Sequence, residues 1–178
     1  MKINDYDFDV YNKRSLEHIS RHMEGSKTIG SKFYKKVFPS VESIVLCALN
    51  YLEDYDGQKI EKVIDYKKII GTNSLVNLNE LPEDIKITKG VRGVNEGYVV
   101  NLVEGALPKE EFKMAIVAGP TEDKSHAFYT IYPGIITPPF PLTEEKIKEE
   151  VSKGKKLKEV LDLNEISLKF WNSHGFIK

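Results

Sequence analysis

The stretch 59–133 constrains this chain most. It carries apolar segments at 59–70, 74–78, 85–91, 98–103, 113–118 and 126–133, too close together for helices to lie between them. Most are rich in β-branched or aromatic residues, and turn signals such as Gly71, Leu81-Pro82, Gly119-Pro120 and Pro133-Gly134 follow them. Strands a few residues apart pair antiparallel through short turns, whereas parallel neighbours need a crossover of a dozen residues or more. The expectation is an antiparallel sheet of about four to six strands. Arg92 to Gly97, with two glycines and an asparagine, reads as a hairpin connection.

Helical patterns flank this stretch. Leu16, Ile19 and Met23 form an apolar stripe over 13–24, and Ser15, His18 and His22 repeat it one residue earlier, about 100° around the axis. Ser40 is a good N-cap for a core helix over 40–55, with Cys47 as a packing residue on its flank. Beyond the sheet, Pro138-Pro139-Phe140-Pro141 reads as an extended crossing that buries Phe140. A charged helix over 143–158 follows, and a last helix opens at Asp162-Leu-Asn-Glu165, a variant of the capping box. His174 continues the stripe Leu163, Ile166, Phe170 of that helix. The fold class is α+β: an antiparallel sheet with N-terminal helices packed on one side and a C-terminal helical segment. The 178 residues read as a single domain, with an N-terminal arm at 1–12, helices plus sheet at 13–142 and C-terminal helices at 143–178.

Composition narrows the function classes. There are 26 basic and 27 acidic residues, for a net charge of −1, which argues against a general coater of nucleic acid. No apolar run approaches the roughly 20 residues of a membrane span, so no membrane partner is expected. The acidic N-terminus has no apolar signal region, and the lone Cys47 fits the cytosol; the expected location is cytoplasmic. His18 and His22 are four apart but have no neighbouring third ligand, so no metal and no cofactor are expected. The sequence contains no phosphate-loop, dinucleotide or nucleophile-elbow motif. On the 126–133 strand, strict alternation puts His126, Phe128, Thr130 and Tyr132 on one face. Acid–base groups thus occur on the first helix, the last sheet strand and the last helix.

Four segments, in order, carry a resemblance. Leu16-Glu-His-Ile-Ser-Arg-His22, the stretch 33–44, Thr130-Ile-Tyr-Pro133 and Ser167-Leu-Lys-Phe-Trp-Asn-Ser-His174 resemble features of the barnase/EndoU/colicin/RelE-like superfamily. These are small ribonuclease toxin domains of bacterial or phage origin. The resemblance implies metal-independent endoribonuclease activity by 2′-OH attack, in a toxin or effector acting on RNA, with an antitoxin or immunity protein as a possible partner. On that reading His22, then His18, supply acid or base. Thr130 holds the phosphate and His174 is a further candidate. Arg21, Arg92, His126 and Tyr132 bind substrate, with Tyr132 hydrogen-bonding to or stacking on a base. The alternative is a non-catalytic phage or mobile-element protein with a binding or regulatory role, consistent with the near-neutral charge and the few arginines Arg14, Arg21 and Arg92.

Overall fold

The computed structural model describes residues 1–92 and 98–178; the connection 93–97 expected as a hairpin turn, and the side chain of Arg92, lie outside the described residues. The elements begin with β1 (Lys2–Ile3), β2 (Tyr6–Asp7), α1 (Lys13–Ser20), β3 (Lys32–Phe33), α2 (Val41–Leu49), β4 (Ile60–Asp65), β5 (Gly71–Asn73) and β6 (Leu75–Asn77). After a 3-10 turn, Leu78–Glu80, come β7 (Lys86–Arg92), β8 (Tyr98–Glu104), β9 (Lys109–Glu111), β10 (Lys113–Pro120) and β11 (His126–Pro133). The chain closes with α3 (Glu144–Ser152), α4 (Leu157–Ser173) and β12 (His174–Ile177). The fold is α+β with mostly antiparallel pairing, and among the described residues the strands form sheets of two, three, four and three strands in place of one continuous sheet. The chain folds as two compact units. One combines Met1–Ser74 with Pro108–Ile136, the other Leu75–Leu107 with Thr137–Lys178.

In the first unit β10 lies between β11 and β4, antiparallel to both. Met114, Ile116 and Ala118 of β10 share a face with Phe128 and Ile131 of β11, and α1 and α2 cover it with Ile19, Ile44, Val45 and Ala48. All are essentially sealed from solvent. At about 1.5–3 kcal/mol for each large side chain buried, this core outweighs the lysine–carboxylate pairs, which are mostly exposed and screened by water. The segment 1–12 is no free arm: β1 and β2 pair as a small hairpin, Phe8 is buried in the core, and the Asp9 N–H donates to the His126 carbonyl at 2.7 Å.

Both N-terminal helices are shorter than the apolar pattern predicts. Asn12 caps α1 by accepting from the Ser15 N–H, but the helix stops at Ser20, not near Glu24. Ser20 Oγ donates to the Glu17 carbonyl, a local bond of the kind that competes with helical propagation. Residues 22–24 then run beside β3, with the Phe33 N–H on the His22 carbonyl at 2.7 Å. Ser40 and Ser43 close a reciprocal capping box at the start of α2. Its helical stretch ends at Leu49, and the turns that follow still bury Leu52 and Tyr55.

The register of β10 against β11 shifts between Val117 and Ala118: Ala118 pairs with Phe128, but Val117 pairs with Thr130. Tyr129 is the extra residue of a β-bulge. Alternation therefore changes phase there. His126 and Phe128 lie on the face of Ile131, while Thr130 and Tyr132 lie on the face of Ala127. The expected grouping of His126 with Thr130 and Tyr132 is corrected by this one inserted residue.

In the second unit the sheet order is β6-β12-β8-β7. β12 is parallel to β8 and antiparallel to β6, a strand that the sequence pattern did not suggest. Thr143 caps α3 as expected, but Gly154, at φ +96°, separates α3 from α4. α4 starts at Leu157 and runs straight through 162–165, so that stretch is not a helix start; burial of Val160 in its first turns favours the longer helix. Lys153 and Lys155 are bridged to Glu150, and Lys156 to Glu159. The proline-rich crossing is pinned as expected: Phe140 stacks between Tyr98 and Trp171, each at 4.5 Å, and Trp171 Nε1 donates to the carbonyls of Pro138 and Pro139.

Candidate functional site

The first unit carries an open cleft of about 710 Å³ beside the start of α1. Asn12, Arg14, Ser15 and His18 line its helix side. The tip of the β10–β11 hairpin, Pro120 to Asp123, lines the other side, and Ala127 to Tyr129 complete it. Arg14 and His18 are four residues apart on one helix, so both project along the same flank, and both are exposed. Ser15 faces inward one position around and is buried.

Behind His18 stands a run of rings. The His18 and His22 rings lie 5.6 Å apart, and His22 lies 5.4 Å from Tyr132. His22 follows the helix end and is buried, with Nδ1 3.1 Å from the Ser31 carbonyl oxygen. A carbonyl can only accept, so in the neutral ring Nδ1 carries the proton. Ser31 Oγ donates to Asn73 Oδ1 at 3.0 Å, and Asn73 Nδ2 donates to Glu111 Oε2 at 2.9 Å. This chain of bonds fixes the loop that holds His22. Tyr132 Oη donates to the Ile135 carbonyl.

The hairpin tip is braced around one carboxylate. Asp123 accepts from the hydroxyls of Thr121 and Ser125 and from the Ser125 N–H. Those donors, that of Thr121 first, hold its carboxyl down to about 2, so it stays anionic at neutral pH. The cleft thus has the Arg14 guanidinium and the His18 imidazole on its helix side and Glu122 with Asp123 on its hairpin side.

The remaining candidates lie elsewhere. Thr130 does not line the cleft; its Oγ1 is buried and has no hydrogen-bond partner. His126, the first residue of β11, is buried and does not line the cleft; its ring is edge-on to Tyr6 at 5.0 Å and Tyr55 at 5.5 Å, with Nδ1 also unpartnered. Arg21 is exposed at the C-terminal cap of α1. Arg92 and His174 belong to the second unit. The His174 ring stacks on Phe170 at 4.0 Å, and its Nδ1 lies 2.9 Å from the Phe170 carbonyl oxygen. Cys47, on α2, has its Sγ 3.9 Å from Tyr66 Oη, and burial pushes its thiol up, away from the reactive thiolate.

No protein-family model matches the sequence, and no curated protein matches it. Among solved structures, the chain is similar to the 2.35 Å crystal structure of a conserved hypothetical protein from Toxoplasma gondii ME49, at 9% identity over 77% of this chain and 85% of that one, with a TM-score of 0.48. A likeness at that level assigns neither fold nor function. Among the described residues, no helix is long and apolar enough to cross a membrane, and no group of three His, Cys, Asp or Glu side chains could hold a metal ion.

The sequence pattern ranks His22 ahead of His18, but the structure buries His22 beyond the helix end and leaves His18, with Ser15, lining the cleft. Arg14 was legible, since it precedes His18 by one helical turn. Tyr129 was not: nothing in the 126–133 stretch marks where a bulge will fall.

Proposed function

We propose that the cleft beside α1 is a phosphate-ester site, and that the protein acts there as a metal-independent, cytoplasmic endoribonuclease of toxin or effector type. The observation that carries this reading is the pairing of an exposed imidazole, His18, with the Arg14 guanidinium in one cleft. His18 would take the proton of the ribose 2′-OH. The 2′-oxygen would attack the adjacent phosphorus, forming a cyclic phosphate and breaking the bond to the 5′-oxygen of the next nucleotide. The imidazolium would return the proton to that leaving oxygen, so one ring serves as base and then acid. Arg14 would hold the charge that builds on the phosphorane oxygens. His22, fixed through Ser31, would back the His18 ring. An antitoxin or immunity protein would be the natural partner, covering the cleft in the producing cell.

The test is cleavage of total RNA in excess EDTA. His18→Ala should lower the rate by about 10²–10⁴-fold, the usual scale for a positioned acid or base, with little change in melting temperature. A substrate lacking the 2′-OH should stay intact. The mixed charge of the cleft, Arg14 against Glu122 and Asp123, favours a second reading: a non-catalytic binding or regulatory protein. Intact RNA after incubation with folded protein would decide for that reading.

A further inference from the structure

We propose that Tyr129 is the ring-recognition residue of this cleft, offering a fixed aromatic face to the base of a nucleotide whose phosphate lies toward Arg14 and His18. The inference rests on the reading of the cleft as a phosphate-ester site and adds what selects the ligand there. Three observations carry it. Tyr129 is the inserted residue of the β10–β11 bulge, and bulges re-aim a side chain that regular alternation would point elsewhere. It is 39% exposed and lines the cleft, although both the preceding Phe128 and nearby Ile131 are buried. Its ring is also held at both ends: Cα sits in the sheet, and Oη donates to the Pro120 carbonyl.

Gly119 makes that seat possible. A Cβ at Gly119 would stand 2.8 Å from Tyr129 Oη and 3.1 Å from Cζ, so any larger residue would push the ring off. The phenol's proton is already committed to Pro120, which leaves the ring's π-face as what Tyr129 presents. A preordered ring loses little side-chain freedom when a ligand arrives. The cleft's charges set the ligand's direction. Glu122 and Asp123 repel an anion from the hairpin side, so the phosphate belongs on the Arg14 and His18 side and the planar group over Tyr129. Tyr132, the aromatic residue that the sequence suggested for stacking, is instead half-buried against His22 with its hydroxyl on Ile135.

The experiment is a binding titration of the intact protein, followed by NMR or calorimetry, with adenosine 3′-monophosphate and with ribose 5-phosphate, which has no ring system to stack. The nucleotide should bind about 5- to 100-fold more tightly, the range for one base stacked on one aromatic residue. Tyr129→Ala should erase that difference, Tyr129→Phe should keep most of it, and Arg14→Ala should weaken both ligands together. Tyr129→Leu, which keeps bulk without a π-face, should behave as Tyr129→Ala and serves if the alanine variant fails to fold. Equal binding of the two ligands, no binding of either, or an undiminished preference in Tyr129→Ala and Tyr129→Leu would overturn the proposal. Nucleotide binding that depends on Tyr129, in a protein that leaves RNA intact, would overturn the ribonuclease reading alone.

Discussion

Tyr55 is 2% exposed, and its hydroxyl has no hydrogen-bond partner. A buried hydroxyl without a partner costs about 1–3 kcal/mol of desolvation. Tyr55→Phe should therefore raise stability by about 1 kcal/mol or leave it unchanged in urea denaturation, where most core substitutions destabilise. A loss above 1 kcal/mol would show that Oη makes a bond in solution. The same burial pushes the Tyr55 phenol up to about 12. Its contribution is complete below the ordinary tyrosine range near 10 and fades as pH climbs from there toward 12; the Phe variant should lack that alkaline loss. Asp123 behaves in the opposite sense. Its folded value of about 2 lies below that of an unfolded aspartate, near 3.9, so its bracing of the hairpin tip is complete above about pH 4 and disappears on acidification toward 2. Amide exchange at Thr121 to Ser125 should quicken over that window, and Asp123→Asn should remove the pH dependence. Residue chemistry was legible in part: Cys47 as a packing thiol follows from its neighbours, but the preference for His22 over His18 took the helix to run on to about Glu24, and its end at Ser20 leaves His22 buried and His18 exposed. What stayed hidden was partnership. Ser31, Asn73 and Glu111 are ordinary polar residues in the chain, and only the fold lines them up behind His22.

Elements were legible where local chemistry and burial agree. Ser40 and Thr143 cap their helices as their residue types suggest, and Pro138 to Pro141 forms the extended crossing. Boundaries failed where a single hydroxyl or an inserted residue intervened, as at Ser20 and Tyr129. A helix period cannot reveal that a serine will bond its own backbone, and strict alternation cannot reveal a bulge. β12 was missed because four residues after a long helix carry too little pattern to stand out. The crossing offers the test at this scale. Trp171 fixes it by two hydrogen bonds and one stack. Trp171→Phe should keep the stack, lose the two bonds and cost about 1–3 kcal/mol, read from chemical denaturation by circular dichroism. A cost within about 0.3 kcal/mol would mean that the crossing is held by Phe140 packing alone.

At the scale of the molecule, the chain passes between its two units three times, at 74–75, 107–108 and 136–137. In the first unit, β5 pairs with β9 and β4 with β10 across the excursion Leu75–Leu107. Closing a loop of about 33 residues costs on the order of 3 kcal/mol when that loop is unfolded, and less when its ends are already tied by structure. Phe140→Ala, which removes the middle ring of the stack in the second unit, should therefore also quicken amide exchange in β4 and β10, by no more than that closure cost. Unchanged protection there would mean that the first unit holds itself together regardless of the excursion.

The position of β12 in its sheet bears on how the protein is made. About 70 residues of chain separate Glu104, at the end of β8, from His174, the first residue of the strand that must lie between β8 and β6. At about 5–20 residues per second, a ribosome takes on the order of 4–14 s to add them. Through that interval β8, paired with β7 on one side, has no partner on the side that β12 will occupy, while the strands of the first unit, complete by Pro133, are already free to pair. The nascent chain thus carries an open, valine-rich edge for seconds at a time, the kind of surface that holdase chaperones cover and that misassembles when they do not.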